Sequence, residues 1–269
     1  DNSSSDVTVY SLYLQDEIKL SDKLTAVLGA RYDSFDIDVT NNLTNGRGSQ
    51  KDTEITPRAG IIFKPEEDIS LYVSYSETFL PQSGEQFASL GDAGLDPDYF
   101  SNLEAGVKWN VADGFNVTAA VFKIEQDTIR ENDDFDNNGF YDLANNEIEG
   151  FEVQILKKMS DQWTISAGYT SLDGNTSSFD QTGNNGAGET TIGETGQSPS
   201  YSWSIWNNYQ VSENLGLGLG ARYQDDSTSK SGGAVVPSFT RVDAAAYYKL
   251  NDNLRLQVNV ENLLDEEYY

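Results

Sequence analysis

The stretch of this chain best equipped for chemistry is Asp134-Phe-Asp136-Asn-Asn138-Gly139-Phe-Tyr-Asp142. Oxygen-bearing side chains at positions 1, 3, 5 and 9, with glycine at 6, match the first part of a calcium loop. Asp134, Asp136, Asn138 and Asp142 are therefore candidate ligands for Ca2+. Position 12 is Asn145 instead of the bidentate glutamate, and Glu147 lies two residues too far on. An acidic, glycine-containing surface turn has the same pattern, and both readings stand. Other chemistry is narrowed by composition. The chain has no histidine and no cysteine, which removes Ser-His and Cys-His catalysis, imidazole and thiolate metal sites, and disulfides. Glu66-Glu67-Asp68 and Asp265-Glu266-Glu267 read as solvated turns, and no carboxylate pair is set out for acid–base work. The expectation is that the protein is not an enzyme.

The elements that would position these groups are strands. Short acidic turns recur at Ser21-Asp22-Lys23, Pro65-Glu66-Glu67-Asp68, Ala112-Asp113-Gly114, Ser160-Asp161-Gln162, Ser212-Glu213-Asn214 and Asn251-Asp252-Asn253. They fall roughly 40–50 residues apart, a spacing that suits repeated strand pairs. The runs between them alternate. Leu215, Leu217, Leu219, Ala221 and Tyr223 share one face, and Gly216, Gly218, Gly220, Arg222 and Gln224 the other, so the glycines thin that face. A strict period of two is a strand and not an amphipathic helix. The pattern predicts about twelve strands, near residues 7–20, 24–39, 54–64, 70–80, 101–111, 115–130, 141–159, 163–173, 199–211, 215–226, 238–250 and 254–263. Long polar loops are expected at 40–53, 81–100, 131–140, 174–198 and 227–237, with mobility expected at 174–198.

Short turns on one side and long loops on the other are the signature of a transmembrane β-barrel. At 37% hydrophobic residues the chain has no stretch near the roughly 18 apolar residues of a spanning helix. A barrel needs none, because only every second strand residue faces lipid. Composition alone would favour a soluble β protein. Three features favour the barrel. Charged residues sit deep within strands, the strands are long, and aromatics gather at strand ends: Trp109, Phe115 and Trp163 by the short turns, Tyr10, Tyr32, Tyr75, Tyr169 and Tyr223 toward the long loops. The net charge of −27, from 44 acidic and 17 basic residues, argues against a nucleic-acid partner. The fold class expected is all-β, a single antiparallel membrane barrel domain over residues 1–269.

The chain resembles the C-terminal part of a TonB-dependent siderophore receptor. The resemblance is carried in order by Tyr13-Leu-Gln-Asp-Glu17, Gly29-Ala-Arg-Tyr-Asp33, Thr56-Pro-Arg-Ala-Gly60, Tyr72-Val-Ser-Tyr-Ser-Glu-Thr-Phe79, Leu95-Asp-Pro-Asp98 and Asn102-Leu-Glu-Ala-Gly-Val-Lys-Trp109. It continues through Thr118-Ala-Ala-Val-Phe122, Glu149-Gly-Phe-Glu152, Arg241-Val-Asp-Ala244 and Asn259-Val-Glu-Asn-Leu-Leu-Asp-Glu-Glu-Tyr268. Leu80-Pro-Gln-Ser-Gly-Glu-Gln-Phe-Ala-Ser-Leu90 is most similar to the catecholate branch. The resemblance implies a 22-stranded outer-membrane barrel of a Gram-negative bacterium, filled by a plug. It also implies import of a ferric siderophore with energy from the TonB complex, and lipid and lipopolysaccharide as surroundings. This chain reads as roughly strands ten to twenty-one of such a barrel, without the plug or the last strand.

Under that resemblance the iron arrives already enclosed, no covalently bound cofactor is expected, and the protein must offer aromatic surface and cations to an anionic complex. The candidate ligand-binding residues are Gln86, Phe87, Tyr99, Phe100, Arg130, Phe135, Phe140 and Tyr141. They could equally pack the loops together or belong to the aromatic girdle. Arg31, Arg58, Arg222 and Arg241 are expected along the inner wall, with pairing to carboxylates such as Asp33 and Asp243 ahead of ligand contact. Two alternatives to import are a β-rich assembly scaffold using open edges and a passive twelve-strand pore closed by pairing residues 7–20 with 254–263.

Overall fold

The computed structural model describes residues 2–81, 97–130, 143–179, 190–196, 198–228 and 234–268. Its strands are β1 (Ser3–Lys19), β2 (Leu24–Asn41), β3 (Gly46–Glu66), β4 (Ile69–Leu80), β5 (Asp98–Ala112), β6 (Phe115–Arg130), β7 (Leu143–Lys158), β8 (Trp163–Phe179), β9 (Thr190–Glu194), β10 (Tyr201–Gln210), β11 (Leu215–Gln224), β12 (Ser227–Thr228), β13 (Val235–Val236), β14 (Phe239–Asn251) and β15 (Leu254–Val260). Twelve of them follow one another through a thirteen-stranded sheet in the order β1 to β8, β10, β11, β14, β15, with β9 paired to β8. Each expected strand corresponds to one of these twelve.

Sequential neighbours pair antiparallel, so each hairpin is set by its turn. Three short turns share one chemistry: a serine hydroxyl accepts a backbone N–H two or three residues on. Ser21 Oγ takes Lys23 N at 3.3 Å, Ser160 Oγ takes Gln162 N at 3.3 Å, and Ser212 Oγ takes Leu215 N at 3.2 Å. Gly114 closes its turn at φ 68°, a conformation that costs other residues steric strain.

The alternation decides what surrounds the sheet. Val121, Leu219 and Leu103, on interior strands, are 58%, 53% and 51% exposed, and the described residue with a large, fully buried side chain is Ile37. A soluble sandwich would bury that face. Exposed apolar side chains in rows across neighbouring strands are the lipid face of a barrel wall, and the opposite, polar face lines the lumen.

The long loops need correction. Residues 40–53 are not a loop: β2 and β3 pair without interruption from Leu24↔Phe63 to Asn41↔Gly46. A tight turn joins them, in which Asn41 Oδ1 accepts from Leu43 N and Thr44 N at 3.0 and 3.1 Å. The expected loop 81–100 gives way to β5 at Asp98, β8 runs to Phe179 with β9 beside it, and β12 and β13 pair inside the region 227–237. The reason is a change of phase. From Leu24 to Tyr32 the residues Leu24, Ala26, Leu28, Ala30 and Tyr32 of β2 lie on the lipid face. Beyond it Phe35, Ile37 and Val39 lie on the inner face and Asp36 and Asp38 on the outer, although the register to β1 and β3 has no bulge. Lys123, Glu125, Glu147 and Glu149 replace apolar residues on the outer face of β6 and β7 in the same way. Charge on that face is tolerated only outside the hydrocarbon, so the hairpins project beyond the membrane as paired strands.

Pro57 interrupts one ladder. The β3–β4 pairing starts at Arg58↔Ser76 and runs downward, since Pro57 has no N–H to donate. Within the described sheet β1 pairs with β2 alone and β15 with β14 alone. The closure of residues 7–20 onto 254–263 expected for a passive pore does not form.

Candidate functional site

The inner face is where the polar chemistry collects. Residues i and i+2 of a strand share a face, and this places each Arg-X-Asp triplet as a ready pair. Arg31 Nε lies 2.8 Å from Asp33 Oδ2, and Ser11 Oγ donates to Asp33 Oδ1 at 2.5 Å. Arg241 Nη2 lies 2.9 Å from Asp243 Oδ2. The expected pairing of these two arginines therefore holds.

The second pair does more than neutralise. Asp243 Oδ1 accepts from Asn262 N at 2.8 Å, Arg241 Nη1 donates to Tyr268 Oη at 3.0 Å, and the Tyr268 ring stacks on Phe239 with centroids 4.9 Å apart. Asn262 sits at φ 53° and bonds Glu266 through both its amide oxygen and its amide nitrogen, each at 2.9 Å. Two stretches nineteen positions apart in the sequence, Arg241-Val-Asp243 and Asn262 to Tyr268, are thus one joint. Arg222 stands opposite Arg241 across the β11–β14 register. Like charges so placed repel, and Asp243 beside Arg241 offsets this.

Arg58 differs from the paired arginines. It faces inward from β3, is exposed, and makes no ion pair or hydrogen bond among the described residues. Its stem lies over Gly29, where a Cβ would come within 2.9 Å of Arg58 Cγ. It borders a depression with Tyr13, Arg31, Thr56, Ser76, Thr78 and Glu77, whose carboxylate accepts instead from the Tyr75 phenol. An uncommitted guanidinium on a wetted wall is available to an anionic oxygen group.

A second inner-face cluster was not singled out from sequence. Tyr72 Oη donates to Glu104 Oε1 at 2.5 Å, and Lys108 Nζ lies 5.7 Å above the Tyr72 ring. Glu152 shares this face one strand pair further on, opposite Ala120. The signal was the i, i+4 spacing of Glu104 and Lys108, which puts both on one strand face and becomes meaningful only once β4 is registered against β5.

On the outer face Phe151, Tyr169, Tyr201, Tyr223 and Trp203 form a band. Successive centroids are 5.5, 6.4, 5.3 and 6.0 Å apart, and the band marks the upper membrane interface. The expected aromatic ends are confirmed there by Tyr169 and Tyr223. At the lower interface Lys157 Nζ lies 4.7 Å from the Phe115 ring centre.

Of the ligand-binding residues expected from sequence, Tyr99 and Phe100 lie in β5, not in a loop. They point to opposite faces: Tyr99 stands opposite Phe79 and Asp127, and Phe100 opposite Thr78 and Gln126. Phe100 is the one on the inner face. Arg130 ends β6 opposite Leu143. Gln86, Phe87, Phe135, Phe140 and Tyr141 lie outside the described residues, as do Asp134, Asp136, Asn138 and Asp142 of the calcium motif.

Comparison with known proteins fits this wall. The family model "TonB dependent receptor-like, beta-barrel" matches residues 1–263. The chain is 30% identical over 276 residues to the "Probable TonB-dependent siderophore receptor PiuA" of Acinetobacter baumannii, covering 96% of this chain and 37% of that protein. It is 28% identical over 227 residues to the "Catecholate siderophore receptor Fiu" of Escherichia coli K12, covering 78% of this chain and 29% of that one. The chain therefore spans about a third of the length of these relatives. The crystal structure of PiuA superposes with a TM-score of 0.82 at 29% identity, over 100% of this chain and 40% of that one. The closed form of Fiu has a TM-score of 0.78 at 20% identity, over 99% of this chain and 42% of that one, a likeness of fold alone. The chain belongs to the TonB-dependent receptor β-barrel family, whose members are receptors in the outer membrane of Gram-negative bacteria and not enzymes.

Proposed function

We propose that the protein to which this wall belongs imports a ferric siderophore across the outer membrane, driven by the TonB complex, and that its cargo is of the catecholate type. The relatives whose names state a siderophore carry the first part of this reading. The name of Fiu and the similarity of residues 80–90 to the catecholate branch support the second. The feature of the chain itself that suits such cargo is Arg58. A ferric catecholate is a polyanion, and a guanidinium that has no ion pair among the described residues offers it charge-assisted hydrogen bonds without first breaking one.

The test is titration of the full-length protein with a ferric tris-catecholate, followed by quenching of tryptophan emission, in the wild type and in Arg58→Gln. Micromolar or tighter binding with saturable, TonB-dependent uptake in cells is the expected result. Arg58→Gln should weaken binding roughly tenfold, the loss of one charge-assisted contact, while leaving the assembled barrel intact. Absence of binding by the wild type, with binding of a ferric hydroxamate or ferric citrate in its place, would overturn the catecholate assignment.

A further inference from the structure

Three large aromatic side chains of the inner face each lie over a glycine of the next strand. Tyr72 pairs with Gly106, Phe122 with Gly150, and Trp206 with Gly220, all as direct cross-strand partners. A Cβ on Gly106 would come within 2.6 Å of the Tyr72 ring, and one on Gly150 within 2.7 Å of the Phe122 ring. Trp206 is the largest case, and it occupies two glycines. One edge of its benzo ring, Cε3 and Cζ3, sits at Gly220, and the other, Cζ2 and Cε2, at Gly218. The indole therefore runs along β11. Its Nε1–H donates to Asn208 Oδ1 at 3.1 Å, and Asn208 is itself the partner of Gly218.

We infer that Gly218 and Gly220 form a seat that holds the Trp206 indole flat against the inner wall, and that Trp206 is thereby a positioning residue that sets the clearance for bulky cargo on this side of the lumen. The inference rests on the import reading above. The steric argument is direct. A Cβ on Gly218 would lie 2.5 Å from Trp206 Cζ2 and 3.1 Å from Cε2, while the other neighbour, Ala245 Cβ, is at 3.3 Å. Carbon atoms rest at about 3.5–4.0 Å, so the ring must retreat by about 1 Å or more. The strand lies behind it and the lumen in front. Asn208 holds the pyrrole edge, so the ring pivots into the lumen.

The experiment uses the full-length receptor in its outer membrane, with three variants: Gly218→Ala, Trp206→Ala and the two combined. Two cargoes are compared, a compact ferric tris-catecholate and the same complex carrying a bulky peptide appendage. Gly218→Ala should leave surface binding of both within about twofold and compact-cargo uptake near wild type, and lower the maximal uptake of the appended cargo by about fivefold or more. Trp206→Ala in the same background should restore it. Gly168→Ala is the control, because a Cβ there meets only Ser204 Oγ at 3.5 Å and Val153 O at 4.0 Å. Equal uptake of both cargoes by Gly218→Ala, or no restoration by Trp206→Ala, overturns the inference. If Gly218→Ala does not assemble, assembly of the double variant supports the seat and its failure overturns it. If the wild type imports neither cargo, the import reading has failed. The seat is then judged without cargo, by whether the heat needed to unfold the barrel falls in Gly218→Ala and recovers in the double variant.

Discussion

Val153 and Gln154 are neighbours on β7 that face different solvents, and placing an arginine at each tests the wall directly. Val153 stands opposite Ala119 and Tyr169 on the lipid face, and Gln154 opposite Thr118 and Gly168 on the inner face. The outer face of β7 carries charge at Glu149 and again at Lys157, each four residues from Val153. Four residues span about 13 Å along a strand, or about 10 Å along the membrane normal at a tilt of ~40°. Val153 thus lies inside an apolar band roughly 25 Å tall, between its midplane and the upper aromatic row that includes its register partner Tyr169. An arginine at that depth on the lipid face costs about 1–3 kcal/mol, and loss of the valine contact with Tyr169 adds up to about 1 kcal/mol. Val153→Arg should therefore destabilise the barrel by about 2 kcal/mol, roughly thirtyfold in the folding equilibrium. Gln154→Arg enters wetted lumen and should stay within about 0.5 kcal/mol. The assay is reversible urea unfolding of the full-length protein in lipid vesicles, read by tryptophan emission. Equal effects of the two substitutions, or a larger one at Gln154, would refute the face assignment, because a slip of one residue exchanges the two faces.

Other expectations concern single contacts. Ser212→Ala removes the hydroxyl that accepts Leu215 N and should cost about 0.5–1.5 kcal/mol, seen as a lower urea midpoint with an unchanged slope. Tyr72→Phe leaves Glu104 without its phenol donor; a cost of about 1.5–3 kcal/mol is expected in the same assay, and a change under 0.5 kcal/mol would remove that bond from the account. In the turn after β7, Lys158 Nζ lies 2.8 Å from Asp161 Oδ1 and holds the Asp161 carboxyl below its ordinary value of 3.8. A carboxyl depressed in the folded state contributes stability that is present above the unfolded pKa and is lost as pH falls through the folded one. Asp161→Asn should therefore remove a small pH dependence confined to below about pH 4 and leave the curve from pH 5 to 8 unchanged, as followed by unfolding at stepped pH.

The strands, their order and their family were legible in the sequence because each rests on local pattern. Leu215 to Tyr223 alternates with period two whatever lies beside it, and the serines of the short turns satisfy their own backbone. The extent of the strands was not legible. Beyond Tyr32 the outer side is water instead of lipid, so Phe35, Ile37 and Val39 take the face opposite to that of Leu24 to Tyr32, and polar residues between them look like loop. The candidate site divides along the same line. Arg31 with Asp33 and Arg241 with Asp243 follow from spacing, since i and i+2 share a face. Arg58 could be told apart from them only when it was seen to make no ion pair among the described residues. Tyr99 and Phe100 look like one aromatic pair in sequence, and a strand sends them to opposite sides. The joint of Arg241 with Tyr268 and the seating of Trp206 on Gly218 and Gly220 join residues 27, 12 and 14 positions apart. Local pattern specifies which face a side chain takes. Register between strands specifies which side chain it meets there, and that is set by the whole ladder at once.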